Sequence, residues 1–243
     1  MKLDTRVALV TGAGHRLGRA IALALAGRGM RVAVHCHRSL APAEATAQEI
    51  RAGGGDAVVF PADLGDSAAA SGLPGAVAER FGGLDVLINS AGVMVRASVE
   101  QTSAALWDQI VDLNLRAPFR VSRAALPWLR PARGRIVNLA DVGGLEPWPG
   151  YAAHSVSKAG IVMLTKVLAR ALAPEITVNA IAPGAVLPPD DWDESARALL
   201  VRTTPLQRLG EPADVTAALL YLLEQGDYVT GEVLVVDGGR LLR

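Results

Sequence analysis

Seven short apolar runs, each separated from the next by a helix-length segment and only a few connecting residues, leave this chain few folds to choose from. The runs are Val7–Thr11, Arg31–His35, Ala57–Phe60, Leu84–Asn89, Arg135–Leu139, Thr177–Ile181 and Val233–Val236. Helical patterns cover Arg16–Arg28, Pro42–Ala52, the region of Ala68–Phe81, Ser103–Asn114, Ala117–Leu129, a long stretch after Gly150, a short one near Asp193–Val201, and Pro212–Glu224. Alternating strands and helices with short loops predict a parallel sheet covered on both faces. Right-handed crossovers then wind it into a Rossmann-type, doubly wound α/β fold. No linker, repeat or low-complexity segment divides the 243 residues, so one domain is expected over 1–243.

Composition agrees with this and narrows the partners. Half the chain is hydrophobic (51%) and only 4% is aromatic, which suits helices packed closely on a sheet. The 24 basic and 24 acidic residues balance without a block of either sign, so neither nucleic acid nor an anionic membrane surface is indicated. The single cysteine, Cys36, excludes a disulfide framework and points to a reduced, cytoplasmic setting. The first residues run from Met1 through Lys2, Asp4 and Arg6 straight into a strand pattern, without an apolar signal region. No apolar stretch is long enough to span a bilayer.

Between the first strand and first helix lies Thr11-Gly12-Ala13-Gly14-His15-Arg16-Leu17-Gly18. Gly12 permits a tight turn, Gly14 lets a phosphate approach the backbone, and Gly18 lets the helix pack on the sheet. The helix N-terminus then offers unpaired N–H groups to a pyrophosphate. The spacing G-x-G-x-x-x-G is one residue longer than the commonest dinucleotide fingerprint, but the required strand-then-helix context is present. The second strand selects the nucleotide. It ends in His35-Cys36-His37-Arg38-Ser39, with no acid to hold a ribose 2′-hydroxyl. Arg38, helped by Arg16, is placed to clamp a 2′-phosphate, with Ser39 donating a hydrogen bond, so NADP(H) is favoured over NAD(H).

The chemistry gathers in Ile136–Lys166. An apolar strand ends at Asn138 and Asp141, a Gly/Pro-rich turn follows, and a long helix begins after Gly150. Tyr151, His154 and Lys158 are three and four residues apart and share one face of that helix. Asp141 is close enough across the turn to meet them. A phenol, an imidazole, a carboxylate and an ammonium at a strand's C-terminal end suit proton transfer.

Taken together, these motifs resemble the classical short-chain dehydrogenase/reductase superfamily along nearly the whole chain. Besides the glycine turn, the match includes Asp63-Leu64, Asn89-Ser90-Ala91-Gly92, Asn114, Lys158, Pro183-Gly184, Thr230-Gly231 and Val236-Asp237-Gly238-Gly239. The resemblance implies that Asp63 and Leu64 flank the adenine, and that Asn89, Ser90, Ala91 and Gly92 line the cofactor together with Pro183 and Gly184. It also implies that Lys158 holds the nicotinamide ribose, that Asn114 supports a proton-relay water, and that the protein is a homo-oligomer, either dimer or tetramer. Arg16 in place of the usual glycine, the HxHRS run with His37, and Asp141 in the usual serine position resemble the pteridine reductase branch, which uses NADPH to reduce C=N bonds of pterins.

One departure matters most. The superfamily places a tyrosine four residues before the lysine, whereas this chain reads His154-Ser155-Val156-Ser157-Lys158. His154 is the thirteenth residue after Asp141, the separation that usually joins the serine to the tyrosine, so it occupies the acid's own position. An imidazole is an effective acid only when doubly protonated, with a reference pKa near 6.5; Lys158 opposes that cation and Asp141 supports it. A C=N substrate relaxes the demand, because an imine nitrogen can arrive already protonated and Asp141 stabilises the iminium. The expected function is NADPH-dependent reduction of a C=N or C=O bond in a small substrate, such as a cyclic imine or pterin. Two alternatives stand beside it: Tyr151 swinging in as the acid, or a catalytically silent NADP(H)-binding sensor or scaffold.

The substrate walls are expected from Gly143–Gly150, Val93–Val99 and a loop at about 185–204. Trp148, Trp192, Met94 and Leu187 offer apolar or stacking surface, although Trp148 equally suits a brace for the turn. Asp190, Asp191, Asp193 and Glu194 make the loop acidic, and Leu187 stands where the family has a threonine. His35 and His37 lack a companion carboxylate or thiolate in ligand spacing, and no metal site is expected.

Overall fold

Residue alternation within each strand explains why this sheet needs helices on both faces. In β1 (Val7–Val10), Ala8 and Val10 enter one core while Val7 and Leu9 enter the other, and all four are fully buried. The same division holds in β2 (Arg31–Cys36), where Val32 and Val34 oppose Ala33, and in β4 (Val86–Asn89), where Val86 and Ile88 oppose Leu87. The computed structural model describes residues 1–188 and 193–242. With β3 (Ala57–Pro61), β5 (Arg135–Leu139), β6 (Thr177–Pro183) and β7 (Val233–Val236), the strands form one parallel sheet in the order β3-β2-β1-β4-β5-β6-β7.

One core lies under α1 (Arg16–Ala26), α2 (Leu40–Ala52) and α8 (Pro212–Glu224), and includes Ile21, Leu25, Ala43, Ala47, Val215 and Leu219. The other lies under α3 (Ser67–Phe81), α5 (Ala117–Leu129) and α6 (Ala152–Leu172), with Leu73, Val77, Val121, Leu129, Leu168 and Leu172. Each large aliphatic side chain taken out of water contributes about 1.5–3 kcal/mol before the entropy of ordering it is charged. The strand order reverses between β1 and β4, which opens a crevice at the C-terminal strand ends. That crevice carries the site.

The expected elements are present, with shifted ends. The helix expected over Ser103–Asn114 instead stops at Val111 as α4 (Ala104–Val111) and widens into one π turn, Asp112–Arg116, before α5 begins. Such turns are rare and recur at functional positions. The short helix of the substrate loop is α7 (Glu194–Thr203), capped by the Asp193 carboxylate, which accepts from the Ala196 N–H at 2.7 Å. Asp193 is therefore a cap. Asp190, Asp191 and Trp192 lie outside the described residues. Among those described, no helix is long and apolar enough to cross a membrane.

Candidate active site

The crevice is a cleft of about 1330 Å³ running from the glycine turn to the start of α6. At one end, Gly12 takes the left-handed conformation (φ +68°), and a Cβ there would come within 2.9 Å of the Ala91 Cα. Only glycine fits both conditions. A Cβ on Gly18 would collide with the Gly12 carbonyl, so the turn closes tightly onto the first turn of α1. That turn has no acidic residue, which leaves its N–H groups and partial positive charge to an anion. Thr11 locks the turn to the end of β4: its Oγ1 accepts from the N–H groups of Ser90 (2.9 Å) and Ala91 (3.0 Å).

His35 fixes the turn from the other side. The Gly12 N–H donates to His35 Nδ1 at 3.1 Å, so a neutral ring carries its proton on Nε2, which donates to the Ala62 carbonyl at 3.1 Å. One imidazole thus ties the glycine turn, β2 and the end of β3 together. Burial pushes its pKa down to about 4, with the Ala62 carbonyl opposing and nearby His37 adding to the fall. The sequence placed His35 in the HxHRS run and excluded it as a metal ligand, but gave it no structural role. The available signal was a histidine in an apolar strand position, level with the glycine turn.

Most of the expected cofactor residues line this cleft: Gly12, Gly14, Arg16, Leu17 and Gly18 from the turn, and His37, Arg38 and Ser39 after β2. Asp63, Leu64, Ser90, Ala91, Gly92, Pro183 and Gly184 line it as well. Arg38 is exposed and makes no hydrogen bond or ion pair among the described residues, whereas the His37 ring lies 3.6 Å from the Asp63 carboxylate. Two expectations are corrected. Arg16, itself in the left-handed region (φ +51°), does not join Arg38 but reaches across the cleft and donates to the Leu187 carbonyl. Asn89 does not line the cleft: its amide donates to Ser122 Oγ (3.0 Å) and Asn138 Oδ1 (2.8 Å), a buried network joining β4, β5 and α5.

At the other end, Asp141, Tyr151, His154 and Lys158 come together on the cleft wall. Asp141 follows β5, and its Oδ1 accepts from the Gly143 N–H at 2.7 Å, capping the short turn Val142–Gly144. A Cβ on Gly144 would lie 2.6 Å from the Lys158 carbonyl carbon, so the turn rests directly on α6. That contact brings Asp141 Oδ1 to 3.7 Å from His154 Nε2. The His154 ring is 4% exposed, and its Nδ1 lies 3.4 Å from the Val93 carbonyl oxygen. Both ring nitrogens therefore face oxygen acceptors. A ring with one proton can direct it at only one of them, and a ring with two directs one at each. At these distances neither contact is a strong hydrogen bond, and Nε2 is a buried atom without a hydrogen-bond partner among the described residues.

Lys158 is buried as well. Its Nζ donates to the Leu139 carbonyl at 2.6 Å, and burial pushes the ammonium down to about 8 against the opposing pull of Asp141. Asn114, on the π turn, sits behind the wall. Its amide donates to the Val93 carbonyl (2.9 Å) and Ser157 Oγ (3.1 Å), while its Oδ1 accepts from the Val93 N–H (2.8 Å). One amide proton and the amide oxygen thus hold Val93, the residue whose carbonyl faces His154, while the other amide proton ties the site to Ser157 on α6. Trp148 braces the turn and stacks on His154. Met94, Arg96, Val186, Leu187 and Leu200 complete the substrate end, joined by Arg240 from near the C-terminus, a residue that sequence reasoning passed over.

The residues present fit a dinucleotide with a 2′-phosphate. The glycine turn leaves no room for side chains beside Ala91, α1 opens without an acid, and Arg38 has no ion-pair partner among the described residues where that phosphate is expected. A Cβ on Gly92 would come within 3.8 Å of Lys158 Nζ, so the space before the ammonium is kept by the absence of a side chain.

Residues 12–240 match the family described as enoyl-(acyl carrier protein) reductase. The chain is 37% identical to the 3-oxoacyl-[acyl-carrier-protein] reductase FabG of Staphylococcus aureus over 240 residues, covering 97% of this chain and 98% of that one. Among solved structures, it is similar to a dehydrogenase/reductase from Sinorhizobium meliloti 1021, with a TM-score of 0.92, 37% identity and coverage of 98% and 97%. A blue fluorescent protein from a metagenomic library, solved in complex with NADPH, matches with a TM-score of 0.92 and 31% identity, covering 99% of both chains.

Proposed function

The chain belongs to the family described as enoyl-(acyl carrier protein) reductase, within the classical short-chain dehydrogenase/reductase superfamily, and from that premise we propose that it reduces a C=N or C=O bond of a small substrate with NADPH, using His154 as proton donor and Asp141 as its partner. Its cofactor is NADP(H). When bound, that cofactor supplies the hydride. The glycine turn and the α1 N-terminus hold its pyrophosphate, Arg38 and Ser39 its 2′-phosphate, and Lys158 its ribose hydroxyls. The single observation that carries the catalytic assignment is the buried His154 Nε2, without a hydrogen-bond partner among the described residues and 3.7 Å from Asp141 Oδ1.

Reduction leaves the substrate's heteroatom short of a proton. His154 Nε2 supplies it, with the Asp141 carboxylate 3.7 Å away facing the same ring nitrogen. Val93 accepts at Nδ1 and sets the ring's orientation, with Asn114 fixing Val93 in turn. An iminium substrate uses the same carboxylate directly, because Asp141 opposes its positive charge and no strong acid is required. Arg16, the His35–Ser39 run and Asp141 are the features behind a pteridine reductase-like assignment, which makes dihydropterins and cyclic imines the first substrates to try. The competing class is a 3-oxoacyl ketone, the group named for the Staphylococcus aureus relative.

The test is NADPH oxidation across cyclic imines, dihydropterins and activated ketones, with wild type beside His154→Tyr. The proposal expects turnover of imines or dihydropterins by wild type, lost in His154→Tyr, with ketone turnover strengthened in that variant. NADPH binding without turnover of any class would instead identify a sensor or scaffold. We also assign a homo-oligomer, dimer or tetramer: Val156, Met163 and Val167 are exposed along α6, and pairing would cover that apolar face. A single monomeric species in analytical ultracentrifugation would refute that assignment.

A further inference from the structure

The imidazole of His154 has an aromatic neighbour with no part in the chemistry described so far. The Trp148 indole lies nearly parallel to it, with ring centroids 6.2 Å apart and an interplanar angle of 11°. The indole is itself anchored. Its Nε1–H donates to Glu146 Oε1 at 2.8 Å, the Tyr151 ring meets it edge-on at 6.0 Å, and the Trp148 backbone carbonyl accepts from the Tyr151 N–H at 2.9 Å. Gly143 closes against its six-membered ring, where a Cβ would come within 2.7 Å of Cε3. The turn that carries Asp141 is therefore built around this side chain, and the side chain in turn is packed against His154.

We propose that Trp148 is a positioning residue: it holds the His154 ring between Val93 and Asp141 and shields it from water, so that the proton on Nε2 is kept for the substrate. This inference rests on the reading of His154 as proton donor. The geometry supports it independently of any substrate, because Asp141 Oδ1 at 3.7 Å and the Val93 carbonyl at 3.4 Å are too distant to hold the ring alone.

Two measurements test it. The first is solvent exchange of the His154 ring N–H by ¹⁵N NMR on the full chain, with the resonance assigned from His154→Ala. We expect slow exchange in wild type and Trp148→Phe, and exchange at least about tenfold faster in Trp148→Ala; equal rates in all three would overturn the shielding role. The second is a double-mutant cycle on single-turnover oxidation of NADPH by a cyclic imine held above its own pKa, so that it arrives neutral and needs the protein's proton; this still reads slow variants. Trp148→Ala should lower the rate about tenfold or more in wild type and have no further effect in His154→Ala, with Trp148→Phe restoring most of the loss. An equal loss in both backgrounds would overturn positioning. If His154→Ala turned over as fast as wild type, the proton-donor reading would fail while the exchange measurement still judged Trp148. Should Trp148→Ala not fold, Glu146→Ala, which removes only the indole's anchor, takes its place in both measurements.

Discussion

Two histidines of this chain show how differently one side chain can be used. His35 is neutral by construction: Nδ1 accepts from Gly12, Nε2 donates to Ala62, and burial holds its pKa near 4. Between about pH 6.5 and 4 the unfolded chain binds a proton there that the folded chain does not, so stability falls as pH falls across that window. The loss is of order 3 kcal/mol. Urea denaturation of wild type and His35→Asn at several pH values checks this: the variant should show a clearly shallower decline over the same window. Arg38 carries the second prediction at this scale. Arg38→Asp puts a negative charge where a phosphate is expected, so affinity for NADPH should fall by about 10–100-fold while that for NADH is unchanged or improved. Titration by protein-fluorescence quenching reads both, and an unchanged NADPH affinity would move the 2′-phosphate elsewhere. The place of Arg38 on the cleft was legible in the sequence because it follows directly on the second apolar run. His35 was not, because its role depends on two backbone partners from other strands.

At the scale of elements, the decisive contact is the turn Val142–Gly144 resting on α6. The spacing of Tyr151, His154 and Lys158 was readable, since helical periodicity puts them on one face. What spacing does not show is that Gly144 has to lie against the Lys158 backbone before Asp141 can reach His154. Gly144→Ala tests this: the added methyl meets backbone atoms that cannot yield, so the turn lifts from α6. We expect about 1–3 kcal/mol of destabilisation together with a larger loss of turnover than of NADPH binding. Thermal melts beside steady-state kinetics read the two, and a variant with wild-type kcat would show that the contact is dispensable. The π turn Asp112–Arg116 was also hidden, because the apolar pattern around it continues without a break from α4 into α5. Arg16 was misplaced for a related reason: its bond to Leu187 joins the ends of two distant strands.

For the whole molecule, the alternation of apolar runs and helices was enough to foresee the parallel sheet, its two helical layers and a crevice where the strand order reverses. The sheet gathers the glycine turn, Arg38, Lys158, Asp141 and His154 around that one crevice, although they span more than half the chain. Binding NADPH to such a surface should stabilise the folded state by mass action, raising the melting temperature with cofactor concentration. The catalytic cycle as a whole then depends on which groups hold protons. Lys158, held near 8, loses its charge as pH rises through that value and should contribute one declining limb of the reduction rate at alkaline pH. The most direct test of the account is kcat for reduction of a neutral substrate, followed from about pH 5 to 9 in wild type and His154→Tyr. We expect a wild-type rate that keeps rising as pH falls below the Lys158 limb, a rise absent from His154→Tyr. A wild-type rate that stays level below that limb, or the same rise in both proteins, would contradict the account.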